Sequence, residues 1–134
     1  MLVRSYIERS DFCEIRRWAA IDPGGILTKE ELSPTTFIAS VSDTQMAAAL
    51  SVLLTNSKHF CITEGLFSNP DLTPRVRREA LRSLLLYVEE FAKALEYKGL
   101  FCIPISKSMG RHFEKQGFKM IKENVATMHK RIGG

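Results

Sequence analysis

The chain lacks most of the features that mark specialised folds. It has only three cysteines, Cys13, Cys61 and Cys102, far apart and with no Cys-x-x-Cys spacing. That argues against a disulfide framework and against a zinc site, and leads us to expect reduced, mostly buried thiols in a cytoplasmic protein. No apolar run reaches membrane-spanning length. The first residues, Met-Leu-Val-Arg-Ser-Tyr-Ile-Glu, turn charged at once, so no signal peptide is expected. Internal repeats, linkers and low-complexity tracts are missing too. A net charge of +4 suits an anionic ligand. With no aromatic interleaving and no binding motif, it does not point to nucleic acid.

What remains is an ordinary globular composition, 45% hydrophobic and 25% charged, in 134 residues. That length suits a single domain, 1–134, with a real core. Residues 2–7 alternate as a short strand does. Ser10 is a candidate N-cap for a helix to Ala20, with Phe12, Ile15, Trp18 and Ala19 at helical spacing. Asp22-Pro23-Gly24-Gly25 breaks it, and Thr28-Lys29-Glu30-Glu31 has the spacing of a capping box for a short helix to Ser33-Pro34. Three β-rich stretches follow: Thr36–Val41, Met46–Leu54 (where Ala47, Ala48 and Ala49 keep a helix open) and His59–Phe67. Short turns between them make an antiparallel meander.

Thr73-Pro74 is the strongest signal, a capping threonine with proline at the first helical position. Val76, Ala80, Leu81, Leu84, Leu85, Val88, Phe91, Ala92 and Leu95 then form one apolar stripe, and Gly99 is placed to end the helix. Leu100–Ile105 reads as a strand, which makes a β-α-β crossover and hence a parallel pair. A helix over Lys107–Gln116 stopping at Gly117, and strands at Phe118–Ile121 and Val125–Ile132, complete the order β-α-α-β-β-β-α-β-α-β-β.

Three short strings accompany that order: Phe67-Ser68-Asn69-Pro70-Asp71, Tyr97-Lys98-Gly99-Leu100 and Phe113-Glu114-Lys115-Gln116-Gly117-Phe118. Together they resemble the GNAT superfamily of acyl-CoA N-acyltransferases. There, "V-x-P-x-x-R" follows the fourth strand and "Y-E-K-x-G-F" precedes the last strands. The resemblance spans nearly the whole chain. It implies an α+β fold with a mixed, mostly antiparallel sheet of about seven strands and helices on both faces. It also implies acetyl-CoA or another acyl-CoA as co-substrate, and no metal.

The family's signature for that co-substrate, [Arg/Gln]-x-x-Gly-x-[Gly/Ala], aligns with Arg75-Val76-Arg77-Arg78-Glu79-Ala80. Arg78 stands where a glycine would let a diphosphate approach backbone N–H groups at a helix start. The resemblance thus places acyl-CoA at Phe67, Arg75, Val76, Arg77, Arg78, Glu79, Ala80 and Ser106. Phe113 occupies the place of the family's acidic tyrosine, and Ser106 that of a common asparagine.

Arg75, Arg78 and Arg82 share one helical face, and cations in a first turn oppose the helix dipole. Two explanations stand open: a phosphate site, or a solvated face with Glu79 paired to Arg75 and Arg82. Glu64 is the candidate general base. Alternation places it with Phe60, Ile62 and Leu66, unless a bulge at Gly65 turns it to solvent. The resemblance agrees, since several GNAT enzymes carry a catalytic glutamate on this strand. His112 is the candidate replacement for the missing acid. A Cys/His nucleophilic pair has no local support. Pro104 cannot donate to a ladder, which suits the splayed fourth and fifth strands of GNAT folds or a simple bulge.

The expected function is therefore N-acetyl transfer to a small-molecule or peptide amine by a cytoplasmic enzyme, with the loop Asp22–Leu27 and the turn Lys122–Asn124 flanking the acceptor. A homodimer is compatible with this, and a membrane is not expected. The alternative is a catalytically inactive GNAT-like binding or structural module, like the small phage virion proteins that resemble GNAT domains without the glycine signature. Fold alone does not choose between them.

Overall fold

A computed structural model describes residues 1–20, 27–102 and 107–120. The chain divides into two compact units, Met1–Ile103 and Pro104–Gly134. The first unit holds a sheet in which β1 (Leu2–Ser5), β2 (Thr36–Ser42), β3 (Gln45–Leu53) and β4 (Cys61–Ser68) pair antiparallel in chain order. β5 (Leu100–Cys102) then joins β4 in parallel, as the helical crossover demands. Among the described residues the sheet therefore has five strands rather than seven. Phe118–Met120 are not in a strand, and the expected strand at Val125–Ile132 lies outside the described residues, as do Pro104 and Ser106. The alanine-rich stretch is a strand: Ala47, Ala48 and Ala49 are all buried at the centre of the sheet.

Helices α1 (Glu8–Ala19) and α2 (Pro74–Ala94) cover opposite faces. Neighbours Phe37 and Ile38 on β2 separate them, because successive side chains point to opposite sides. Ile38 and Ala49 join Phe12, Ile15, Trp18 and Ala19 of α1 in one apolar cluster. Phe37 instead meets Tyr87 and Phe91 of α2, each with ring centroids 5.0 Å apart. The apolar stripe of α2 buries Ala80, Leu81, Leu84, Leu85, Val88 and Ala92. Each fully buried leucine there contributes about 1.5–3 kcal/mol.

Two local expectations change. α1 begins at Glu8, not after Ser10, because Asp11 supplies the cap: its carboxylate accepts from the Ile7 N–H at 2.8 Å and from Arg4 at 2.7 and 2.9 Å. Burial pushes the Asp11 carboxyl up, but the hydrogen bonds from Arg4, Ile7 and Ser10 outweigh it and hold the group below the usual carboxylate range. A lowered folded-state pKa means this contribution is present at neutral pH and lost as pH falls through that value. The second helix is a single 3-10 turn, Lys29–Glu31, with Glu31 reaching back to the Thr28 N–H at 3.4 Å. Ser33 precedes Pro34, which disfavours further helix.

α2 also ends earlier than Gly99. Leu95 caps it, Glu96 takes a left-handed φ of 67°, and the N–H groups of Glu96 and Tyr97 donate to the Lys93 and Ala92 carbonyls, each at 2.9 Å. Gly99 serves another purpose. A Cβ there would lie 2.9 Å from the His59 carbonyl, so the residue lets the start of β5 approach the turn before β4. In the second unit, α3 (Lys107–Lys115) stops where expected. Phe118 N–H donates to the Phe113 carbonyl at 3.1 Å, Gly117 N–H to that of Glu114 at 3.0 Å, and the two phenylalanine rings lie 5.3 Å apart.

Candidate active site

The expected base stands at a kink in β4. Ala49 pairs with Phe67 and Leu50 with Leu66, but Ser51 pairs with Glu64, so Gly65 is skipped. Gly65 adopts a φ of +73°, which a side chain would strain, and this lets the extra residue bulge. The strand's alternation slips there. Glu64 consequently shares its face with Ile62 and Phe67, the face covered by α1, and not with Leu66, which faces α2. Phe60 lies before the strand begins. Glu64 is exposed, as a bulge predicts.

A cleft of about 420 Å³ opens beside the bulge, lined by Leu27, Glu30, Glu31, Glu64, Gly65 and Phe67. It brings two sequence candidates, Glu64 and Phe67, into one place. Leu27 belongs to the loop expected to flank an acceptor; residues 21–26 of that loop lie outside the described residues. Glu30 and Glu31 escaped the sequence reading because their acidity served as a helix-start signal. Three carboxylates around an open cleft with two apolar walls attract a cation, and their mutual repulsion is relieved when one binds.

β4 pairs with β5 only over Cys61–Thr63, opposite Leu100–Cys102. Beyond that, Glu64–Ser68 are paired on the β3 side alone among the described residues. The strand's exit is pinned from two directions. Asn69 is buried and donates to the Met46 carbonyl at 3.1 Å, while Arg17 of α1 reaches Asp71 at 3.0 Å.

The front of α2 follows directly. Thr73 caps it, accepting from the Val76 N–H at 3.4 Å, and the Arg77 N–H already donates to the Thr73 carbonyl at 3.0 Å. From Arg77 onward the helix's own ladder uses the amides, including those of Arg78, Glu79 and Ala80. The Arg75 amide precedes that ladder, and the arginine side chains around it are further donors for an anion. Arg75 and Arg78 are exposed, and among the described residues no ion pair involves Arg75, Arg77, Arg78 or Arg82. Glu79 does not pair with them, so no described residue neutralises the arginine face by an ion pair. Arg77 is half-buried with its Nε lacking a partner, Val76 is half-buried, and Ala80 is fully buried against the sheet. None of these residues lines the cleft.

His112 lies half-exposed on α3 in the second unit. Phe113 is committed to its contact with Phe118. The thiols are poor nucleophiles: burial pushes Cys61 up and Cys102 to about 11, so both stay protonated at neutral pH. Cys13 is exposed, unlike the expectation of mostly buried thiols. Among the described residues no His, Cys, Asp and Glu side chains are grouped to hold a metal, and no helix is long and apolar enough to cross a membrane.

No family model and no curated protein matches the chain. Solved structures do. A transcriptional regulator from Bacillus halodurans superposes with a TM-score of 0.71 at 15% identity, covering 96% of this chain and 99% of that one. An acetyltransferase from Trypanosoma brucei gives 0.68 at 11%, with 96% and 99% covered. A Mycobacterium tuberculosis protein in complex with CoA gives 0.68 at 16%, covering 95% of this chain and 76% of that one. The fold is GNAT-like. At these identities the likeness concerns architecture alone.

Proposed function

We propose that the chain is an acyl-CoA-dependent N-acyltransferase, with acetyl the simplest group transferred and a primary amine the acceptor. The observation that supports this best is Glu64 at the Gly65 bulge, facing an acidic cleft on the fourth strand of a GNAT-like sheet. The cleft draws in the amine as its ammonium form. Glu64 takes one proton, the freed lone pair attacks the thioester carbonyl, a C–N bond forms and the C–S bond breaks. CoA then leaves as the thiol, its sulfur taking the second proton given up by the acceptor nitrogen. Backbone N–H groups of β4 are the donors proposed for the transient oxyanion.

On the co-substrate side, Arg75 and Arg78 hold the diphosphate by charge-assisted hydrogen bonds from their side chains. Phe67, Val76, Arg77 and Glu79 complete the proposed contact surface, while the buried Ala80 packs beneath it. We place the enzyme in the cytoplasm, acting on a small-molecule or peptide amine.

Calorimetry with acetyl-CoA tests the reading directly: a micromolar dissociation constant is expected. Glu64→Gln should then lower kcat/KM with a responsive amine by about 100-fold, with acetyl-CoA affinity unchanged. The helical start of α2 favours a second reading, a GNAT-like binding or structural module. No heat at high acetyl-CoA concentration would establish that reading and end the first.

A further inference from the structure

The face that carries Glu64 has a second, uncovered stretch. On β4, Ile62 stands two residues before Glu64 and on the same side, about 7 Å away along the strand. The register pairs Leu53 with Ile62 and Ile62 with Phe101, so these three form a row across β3, β4 and β5. On the opposite side of β4, Cys61 and Thr63 are buried at 0% and 6%. On this side Leu53 is 39% and Phe101 44% exposed, and Ile62 is half-buried. Phe60 packs its ring on Phe101, with centroids 5.1 Å apart. A contiguous apolar strip thus adjoins the carboxylate, where single exposed apolar residues would need no explanation.

The geometry points to an acceptor amine that carries an aromatic or branched aliphatic tail, its ammonium at Glu64 and its tail across Leu53, Ile62 and Phe101. The inference rests on the acyl-transfer reading for what Glu64 does to the ammonium. It commits to a small amphipathic cation because of the charge layout: carboxylates on one side of Glu64, hydrocarbon on the other. A second copy of the chain docked here about a two-fold axis running along β4 would set Glu64 opposite its own counterpart, and like charges so placed oppose association.

Binding of phenethylamine, ethanolamine and putrescine, followed by calorimetry without acyl-CoA, tests the inference. Phenethylamine should bind about tenfold more tightly than the other two. Phe101→Ala should erase most of that preference while leaving ethanolamine binding unchanged. Leu53→Ala, which keeps the Phe60–Phe101 contact, is the second variant should the first lose its thermal transition. The idea is overturned if phenethylamine fails to bind, if all three amines bind alike, or if both variants keep the preference. It is equally overturned if sedimentation shows a dimer that Phe101→Ala dissociates.

The two readings fail separately. A tail preference without CoA release from acetyl-CoA removes acyl transfer and leaves the amphipathic site. CoA release as fast with ethanolamine as with phenethylamine does the reverse.

Discussion

The two ends of α2 are finished in opposite ways. At the C-terminal end the Phe91, Ala92 and Lys93 carbonyls are all engaged. Two reverse hydrogen bonds close the last turn, the Tyr97 hydroxyl donates to the Thr55 carbonyl at 2.7 Å, and Lys58 lies 4.5 Å over the Tyr97 ring. At the N-terminal end a long cap hydrogen bond is followed by arginines that form no ion pair among the described residues, in a turn where the dipole disfavours cations. One end has been settled for stability. The other keeps cations at the edge of a helix, where they are available to an anion.

The largest way to break that contrast is Tyr97→Ala, which should cost about 3–4 kcal/mol in urea unfolding through lost volume and an orphaned carbonyl. Acetyl-CoA affinity of the folded fraction should stay the same. Substituting Arg75 and Arg78 together by Ala should do the converse. Acetyl-CoA affinity falls by about tenfold or more, while the Tm holds or rises slightly because a cation, Arg75, leaves the first turn. A variant that keeps its affinity would show that the front of α2 is a solvated face like any other. The smallest effect sharpens the comparison: Glu96→Gly should add about 1 kcal/mol, since the left-handed φ of 67° strains a side chain and not a glycine. Glycine already stands at the matching position of α3, where Gly117 has a φ of 91°.

These ends also show what could be read from the chain alone. Thr73-Pro74 and the apolar stripe located α2 because capping and 3.6-residue periodicity are local properties. The parallel β4–β5 pair followed from the helix between them, and the end of α3 from Gly117. The errors arose where a distant contact decided a local question. Asp11, not Ser10, organises the start of α1 because Arg4 on β1 meets it. Gly99 is small because His59, forty residues earlier in the chain, passes close by. The site divides in the same way. Glu64 and Phe67 were legible as an ill-placed carboxylate and a strand-end aromatic. Glu30 and Glu31 became site residues only once the sheet brought β4 beneath their turn.

The slip at Gly65 has a consequence for anyone altering this strand. Substitutions made one after another along β4 will not show a steady odd-even rhythm of tolerance: the beat is skipped once, between positions 64 and 66. A bulky change at Leu66 disturbs the packing under α2, while one at Phe67 reshapes the acidic cleft. Removing the extra residue would restore the rhythm without turning either half of the strand over, because Glu64 and Phe67 already oppose Ser51 and Ala49 on one face; drawing Gly65 into the ladder instead would part the carboxylate from the aromatic ring.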